Sequence, residues 1–197
     1  MYFNASEMKK MLKESWETNM LILSRKDDRI LIQGNSWILA TDIDLIPNKI
    51  RASIVELTGE LPAEGYTFRS GKGQTNQYEF EQTVFWDELL NMETTYSAAN
   101  KAERTRIAIY SKQFNLYRAM KAGAKTLLIS ERVLNMIDPG AIMETYEAPP
   151  EGPYHIKNFL YWTNHNVLFA HLTKRNKDDE VETEFLEQCD NMSLMEG

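Results

Sequence analysis

The residue types with the means to do chemistry are three histidines, two pairs of carboxylates and one glycine-rich loop. His155, His165 and His171 all fall within residues 154–175. A metal site needs such side chains to converge on one ion. If residues 163–166 form the turn of a hairpin, Trp162 faces Val167. That register places His155 and His171 on opposite faces and His165 in the turn, so they read as ordinary strand histidines. His171-Leu172-Thr173 matches half of a two-histidine phosphoesterase signature, but Lys157 stands where the second half requires its Thr. Asp42 and Asp44 sit two apart at a strand end, and Glu79 and Glu81 share one face of a later strand. Four such carboxylates suit Mg²⁺-dependent phosphodiester hydrolysis. No lysine follows at the spacing of the common nuclease patterns, and capping and solvation account for them. Ser70-Gly71-Lys72-Gly73-Gln74-Thr75 is glycine-rich, yet it leads into a strand where a phosphate loop leads into a helix. It reads as a hairpin loop, with Lys72 available for a backbone-phosphate contact. The spacing shows no Ser-His-Asp or Cys-His arrangement. The expectation is a protein without catalytic residues, metal or cofactor.

The elements that must position these residues are legible in part. Asn4 or Ser6 caps a first helix whose apolar side is Met8, Met11, Leu12 and Trp16. Strands follow over 20–23 and 30–33 around a polar turn, then over 37–41. In residues 41–65 Asp44 is the expected cap and Pro47 suits the first helical turn. Ile46, Ile50, Ile54 and Leu57 form an apolar stripe, and Gly59 with Leu61-Pro62 ends the helix. Residues 66–68 and 78–85 read as strands and 86–92 as a short helix. Residues 106–110 read as a strand, and 113–122 as a helix with Phe114, Tyr117 and Met120 inward and Arg118 and Lys121 outward. A strand over 126–129, a helix from Ser130 to Ile137, an extended piece over 142–146, a rigid connector over 149–153 and the final hairpin complete the chain. This order predicts an α+β fold of two related small units of helices packed on antiparallel sheet: 1–92, a linker 93–105, and 106–175. Residues 176–197 form an acidic, disordered tail, in which Val181, Phe185 and Leu186 have the pattern of a docking helix.

Composition bounds the rest. The chain has 197 residues, 43% of them hydrophobic, enough for a normal core. Its single cysteine, Cys189, excludes an internal disulfide and cysteine-based zinc sites. There is no signal-peptide pattern and no apolar run long enough for a membrane span, so a cytoplasmic protein is expected. The net charge of −7 is segregated: residues 101–132 carry +6 and residues 176–197 carry −7. Each block suits a solvated surface, and together they also suit a nucleic-acid-facing element with an acidic tail that competes for it.

WILATDID over 37–44, followed by IPNKI and ELTGELPAEG, resembles the first domain of bacterial DNA sliding clamps. In that family a strand ends in a Thr-Asp pair, here Thr41-Asp42. A proline-led helix then carries a lysine near its start, here Pro47 and Lys49, and ends in a Leu-Pro turn, here Leu61-Pro62. The opening Met1-Tyr2-Phe3 and the lysine-rich first helix are similar to the family's start, and VLFAHLTKR is similar to its closing strand. The family's strand pair between the Thr-Asp pair and the proline helix is missing, and the second unit is short. The resemblance implies a clamp-like fold whose helices present Lys9, Lys10, Lys13, Lys49, Arg51, Arg118 and Lys121 to DNA phosphates. It implies a non-catalytic processivity or tethering factor in DNA replication. Such a factor would be a homo-oligomer on DNA, with a polymerase or other nucleic-acid enzyme as a further partner. The alternative is a small acidic interaction protein, from a phage or mobile element, that inhibits a nucleic-acid enzyme. A metal-dependent nuclease using Asp42, Asp44, Glu79 and Glu81 is the third reading.

Overall fold

A computed structural model describes residues 3–79, 101–110, 115–137, 150–156, 158–164, 166–173 and 180–191. The expected helix over 86–92, the extended piece over 142–146, most of the linker, Glu81 and His165 lie outside these residues.

Local rules explain the first half. Helix α1 (Ala5–Glu17) starts where the Asn4 side chain accepts hydrogen bonds from the N–H groups of Ser6 and Glu7, satisfying two otherwise orphaned donors. It buries Met8, Met11 and Leu12. Strands β1 (Leu21–Lys26), β2 (Arg29–Gln33) and β3 (Trp37–Asp42) form an antiparallel meander. Asp27, at φ 54°, makes the first turn tight, since Asp tolerates the left-handed region. The second turn depends on Gly34, whose N–H bonds the Trp37 carbonyl at 2.9 Å. A Cβ there would fall 2.1 Å from Trp37 Nε1 and 2.4 Å from Ser15 Oγ. A short 3-10 turn (Ile43–Leu45) precedes α2 (Asn48–Thr58), which ends at Gly59 with φ 84°. Asp44 is not the cap that was expected: it lies inside the 3-10 turn, and Pro47 holds the cap position without a side-chain bond. Strands β4 (Thr67–Ser70) and β5 (Gln77–Glu79) extend the sheet beyond β1, with the loop over 71–76 between them.

The second half departs from expectation in several places. Of the helix expected over 113–122, the described residues 115–122 are not helical. Strands β6 (Glu103–Tyr110), β7 (Leu116–Ala122) and β8 (Lys125–Ser130) make a separate three-stranded sheet. Strand β7 is buried on both faces, Met120 and Ala122 toward the main core and Ala119 toward a second cluster. Two-sided burial removes the polar-apolar alternation, and the remaining apolar spacing imitates a helix. Gly123, at φ 60°, serves the β7–β8 turn and is not a helix stop. A short helix α3 (Glu131–Leu134) follows, shorter than the expected helix to Ile137.

The connector over 149–153 and the single strand before the last turn are also corrected. Strand β9 (Glu151–Ile156) turns back into β10 (Phe159–Thr163), which pairs with β11 (Val167–Leu172). Trp162 faces Phe169 and not Val167, a slip of two residues that preserves which side chains share a face. The reversal between β9 and β10 does change a face. Leu160 pairs with both His155 and His171, so the two histidines lie on the same face, contrary to the expected register. The tail is likewise not all disordered: helix α4 (Glu180–Asp190) docks Leu186 and Cys189 against the small sheet.

The large sheet runs β5-β4-β1-β2-β3-β11-β10-β9, antiparallel throughout. The fold is α+β, with four α-helices among the described residues. The sheet order crosses the expected unit boundary, because β11 pairs with β3 over Val167–His171. The described end of the expected linker is tied down: Lys101 bridges Tyr154, the Ala102 N–H bonds the Pro153 carbonyl, and Glu103 and Arg104 belong to β6. One row of partners crosses seven strands: Tyr78, Phe68, Leu23, Ile32, Leu39, Phe169 and Trp162. On this face α1, α2 and the small sheet close the main core. Each fully buried large apolar side chain there contributes about 2 kcal/mol. The opposite face carries Leu31, Ile38, Ala40, Tyr161, Leu168 and Ala170, all buried.

The Gly34 geometry sets a stability test. Gly34→Ala is expected to cost about 3 kcal/mol, since the tightly held Trp37 ring must move. Gly59→Ala, with nothing within 4 Å of its Cβ, is expected to cost about 1 kcal/mol through its positive φ alone. Urea unfolding of the two variants checks the order.

Candidate functional site

Two regions bear on function: the surface that carries the expected cations, and a cleft where α1, α3 and the ends of β7 and β11 meet.

The seven cations separate into different environments. Lys9, Lys10 and Lys13 are exposed on α1, and Lys49 is exposed on α2, which packs against α1. Lys10 pairs with Glu7 at 2.7 Å, and Lys13 stands 4.0 Å from Glu17. Arg51 is half-buried: its Nε donates to the Ile46 carbonyl at 2.9 Å and its Nη1 lies 3.8 Å from Asp44. Arg118 and Lys121 are not outward residues of a helix. They lie on strand β7 and, three positions apart, point to opposite faces. Arg118 donates from Nε to Glu131 at 2.9 Å, and Glu131 also takes Arg104. Lys121 donates to the carbonyls of Cys189 and Asp190, at 3.1 and 2.9 Å, at the C-terminal end of α4 where a cation is favoured. The Asp190 carboxylate accepts the Thr126 N–H in return. Two of the expected phosphate contacts are therefore built into the protein's own packing.

Among the described residues, Asp42 and Glu79 do not converge. Asp42 lies 3.4 Å from Arg29, on β3. Glu79 is on β5, at the far end of the order β5-β4-β1-β2-β3. Four inter-strand steps separate these strands by roughly 19 Å. Among the described residues no group of His, Cys, Asp and Glu is placed to hold a metal ion. Lys72 sits in the β4–β5 loop, 3.9 Å from Glu17, with its N–H bonded to the Trp16 carbonyl. None of the described helices is long and apolar enough to cross a membrane.

The cleft has a volume of about 720 Å³. Met11, Trp37, Leu116 and Val133 supply its apolar lining, and Glu14, Asn35, Ser36, Asn115, Glu131, Arg132 and His171 its polar lining. Its geometry is fixed by side chains that staple the β2–β3 turn to two distant segments. The Trp37 indole donates to Ser15 Oγ at 3.2 Å, and the Thr18 hydroxyl reaches Asn35 Oδ1 at 2.9 Å. The Leu172 N–H donates to the Ser36 carbonyl at 2.8 Å. Arg132 ties α3 to α1: its Nε donates to Glu7 at 2.6 Å, and its Nη1 to both oxygens of Glu14 at 2.7 and 2.9 Å. The Lys10 ammonium and the Arg132 guanidinium together hold the Glu7 carboxyl below its usual range, against the opposing effect of burial.

Ser36 Oγ lies 3.2 Å from His171 Nε2, and His171 Nδ1 lies 2.6 Å from the Leu172 carbonyl oxygen. A carbonyl accepts only, so Nδ1 carries the hydrogen and Nε2 accepts from the Ser36 hydroxyl. Burial pushes the His171 pKa down to about 4, against the opposing carbonyl bond, and the ring is uncharged at neutral pH. Sequence reasoning missed this pair because its members are 135 positions apart and meet only through the β3–β11 pairing.

The low His171 pKa sets a pH dependence. The unfolded chain takes up a proton near pH 6.5 and the folded chain only near 4, so stability falls as pH drops through this window. The full effect is on the order of 3 kcal/mol. His171→Gln is expected to flatten that part of the stability profile, measured by denaturant unfolding between pH 7 and pH 4.

No protein-family model, no curated protein and no solved structure matches this chain.

Proposed function

We propose that this protein is a non-catalytic, nucleic-acid-associated tethering factor of the clamp-like kind, acting as an oligomer of its own copies. The observation that carries this reading is the exposure of Lys9, Lys13 and Lys49 on two helices packed side by side in one layer. Lys9 and Lys49 have no carboxylate within ion-pair distance among the described residues. Unpaired lysines on adjacent helices suit phosphate contacts that position a duplex without reading its bases. The negative total charge of −7 then restricts attraction to that surface. Arg118 and Lys121 drop out of the contact set, because displacing either breaks an internal bond. This leaves few contacts, so the binding is weak, salt-sensitive and dependent on several copies acting together.

A second reading, the small acidic interaction protein that inhibits a nucleic-acid enzyme, draws on a different observation. The small sheet holds α4 in place with Glu184 and Glu187 exposed, which presents negative charge on an ordered element.

Fluorescence anisotropy with a short labelled duplex, together with light scattering, separates the two. The tethering reading expects a multimer. It also expects a log K against log salt slope of about −3 for each chain engaged, given about 0.9 per phosphate contact. Lys9→Glu, Lys13→Glu and Lys49→Glu combined should abolish binding and leave the unfolding midpoint close to that of the unaltered protein. A monomer that ignores DNA at 50 mM salt would sink this reading and leave the second.

A further inference from the structure

We propose that Ser36 and His171 form an acyl-transfer dyad at the mouth of the cleft, with Ser36 the nucleophile and a small carboxylic ester the substrate class. This does not rest on the tethering reading and departs from its non-catalytic part.

The argument starts from rigidity. Ser36 belongs to a turn that Gly34, Trp37 and Asn35 hold against α1, and its carbonyl is bonded to the Leu172 N–H. The same peptide unit that fixes Ser36 is adjacent to His171, so nucleophile and base share one frame. The Leu172 carbonyl orients the imidazole from Nδ1, the role that an acid residue plays in a three-member arrangement. Nε2 then faces the hydroxyl at 3.2 Å, a distance of the kind that tightens when substrate excludes water. Ser36 and His171 are both half-exposed, so the pair can be reached from the cleft. The apolar lining offers space for an acyl chain within a volume of about 720 Å³. Asn35, exposed beside Ser36, adds a polar amide to the cleft lining.

In the first step the Ser36 oxygen bonds to the carbonyl carbon and its proton passes to His171 Nε2. The tetrahedral adduct collapses, the ester C–O bond breaks, and the leaving alcohol takes the proton from Nε2. Water then repeats the sequence, releasing the acid and restoring Ser36. The net reaction is ester plus water to acid plus alcohol, with no oxidant or metal. A base as weak as buried His171 accepts a proton slowly, so acylation of an activated ester, and not rapid turnover, is the expected signature.

The test uses the full chain and a fluorophosphonate probe at pH 7.5. The Ser36 oxygen replaces fluoride on phosphorus, and peptide mass mapping locates the adduct. One adduct on Ser36 is expected, absent in Ser36→Ala and formed at least tenfold more slowly in His171→Gln. The unaltered protein should also release about one equivalent of nitrophenol per chain from p-nitrophenyl acetate in a burst. No adduct, an adduct elsewhere, or equal labelling in a folded His171→Gln would overturn the proposal and leave the pair a structural hydrogen bond. If His171→Gln does not fold, labelling of the unaltered chain against Ser36→Ala decides alone, and an unlabelled Ser36 overturns it.

Discussion

The antiparallel pairing of β3 with β11 is the constraint on which the rest depends. It joins residues 37–41 to residues 167–171, and through it the five strands of the first half become one sheet with the last three strands. The row from Tyr78 to Trp162 exists only because Leu39 faces Phe169 across that pairing. A shift by one residue would send Phe169 and Val167 out of the core and Leu168 and Ala170 into it. Both sets are apolar, but the space beneath α1 and α2 is shaped by the large rings of Phe169 and Trp162. Filling that space with Ala170 instead would leave a void, and close packing makes voids costly.

The same pairing creates the cleft. Its mouth is the β2–β3 turn on one side and the end of β11 on the other, bonded through Ser36 and Leu172. Arg132, Glu7 and Glu14 then fix the position of α3 against α1, and Arg104, Arg118 and Glu131 fix α3 against the small sheet. Ion pairs of this exposure contribute little individually, generally under about 1 kcal/mol. Their effect is geometric: bidentate arginine contacts hold a short helix in one orientation. Within the basic block of residues 101–132, the charges of Arg104, Arg118, Lys121 and Arg132 are thus spent on internal partners.

Local chemistry was legible where each element carries its own stop and start. Asn4, Asp27, Pro47 and Gly59 mark boundaries through their own backbone preferences, and the first helix, the meander and α2 follow from them. The reading failed where tertiary contacts replace local signals. Strand β7 lies between two cores, and its apolar positions on both faces imitate helical spacing. The sequence between Ile156 and Phe159 contains no Gly or Pro, so β9 and β10 read as one continuous strand. For the candidate site, the cations of α1 and α2 were named through the clamp resemblance, whereas Ser36 and His171 carry no spacing that links them.

By itself the sequence determined the α+β class, the capped helices, the short turns and the segregation of charge, because these depend on neighbours within a few positions. Only the tertiary structure decided which strands are adjacent, that His155 and His171 share a face, that Arg118 and Lys121 serve internal partners, and that the acidic C-terminal segment docks as a helix. Each of these is a contact between residues distant in the chain, and its free energy comes from burial and geometry that no local pattern encodes.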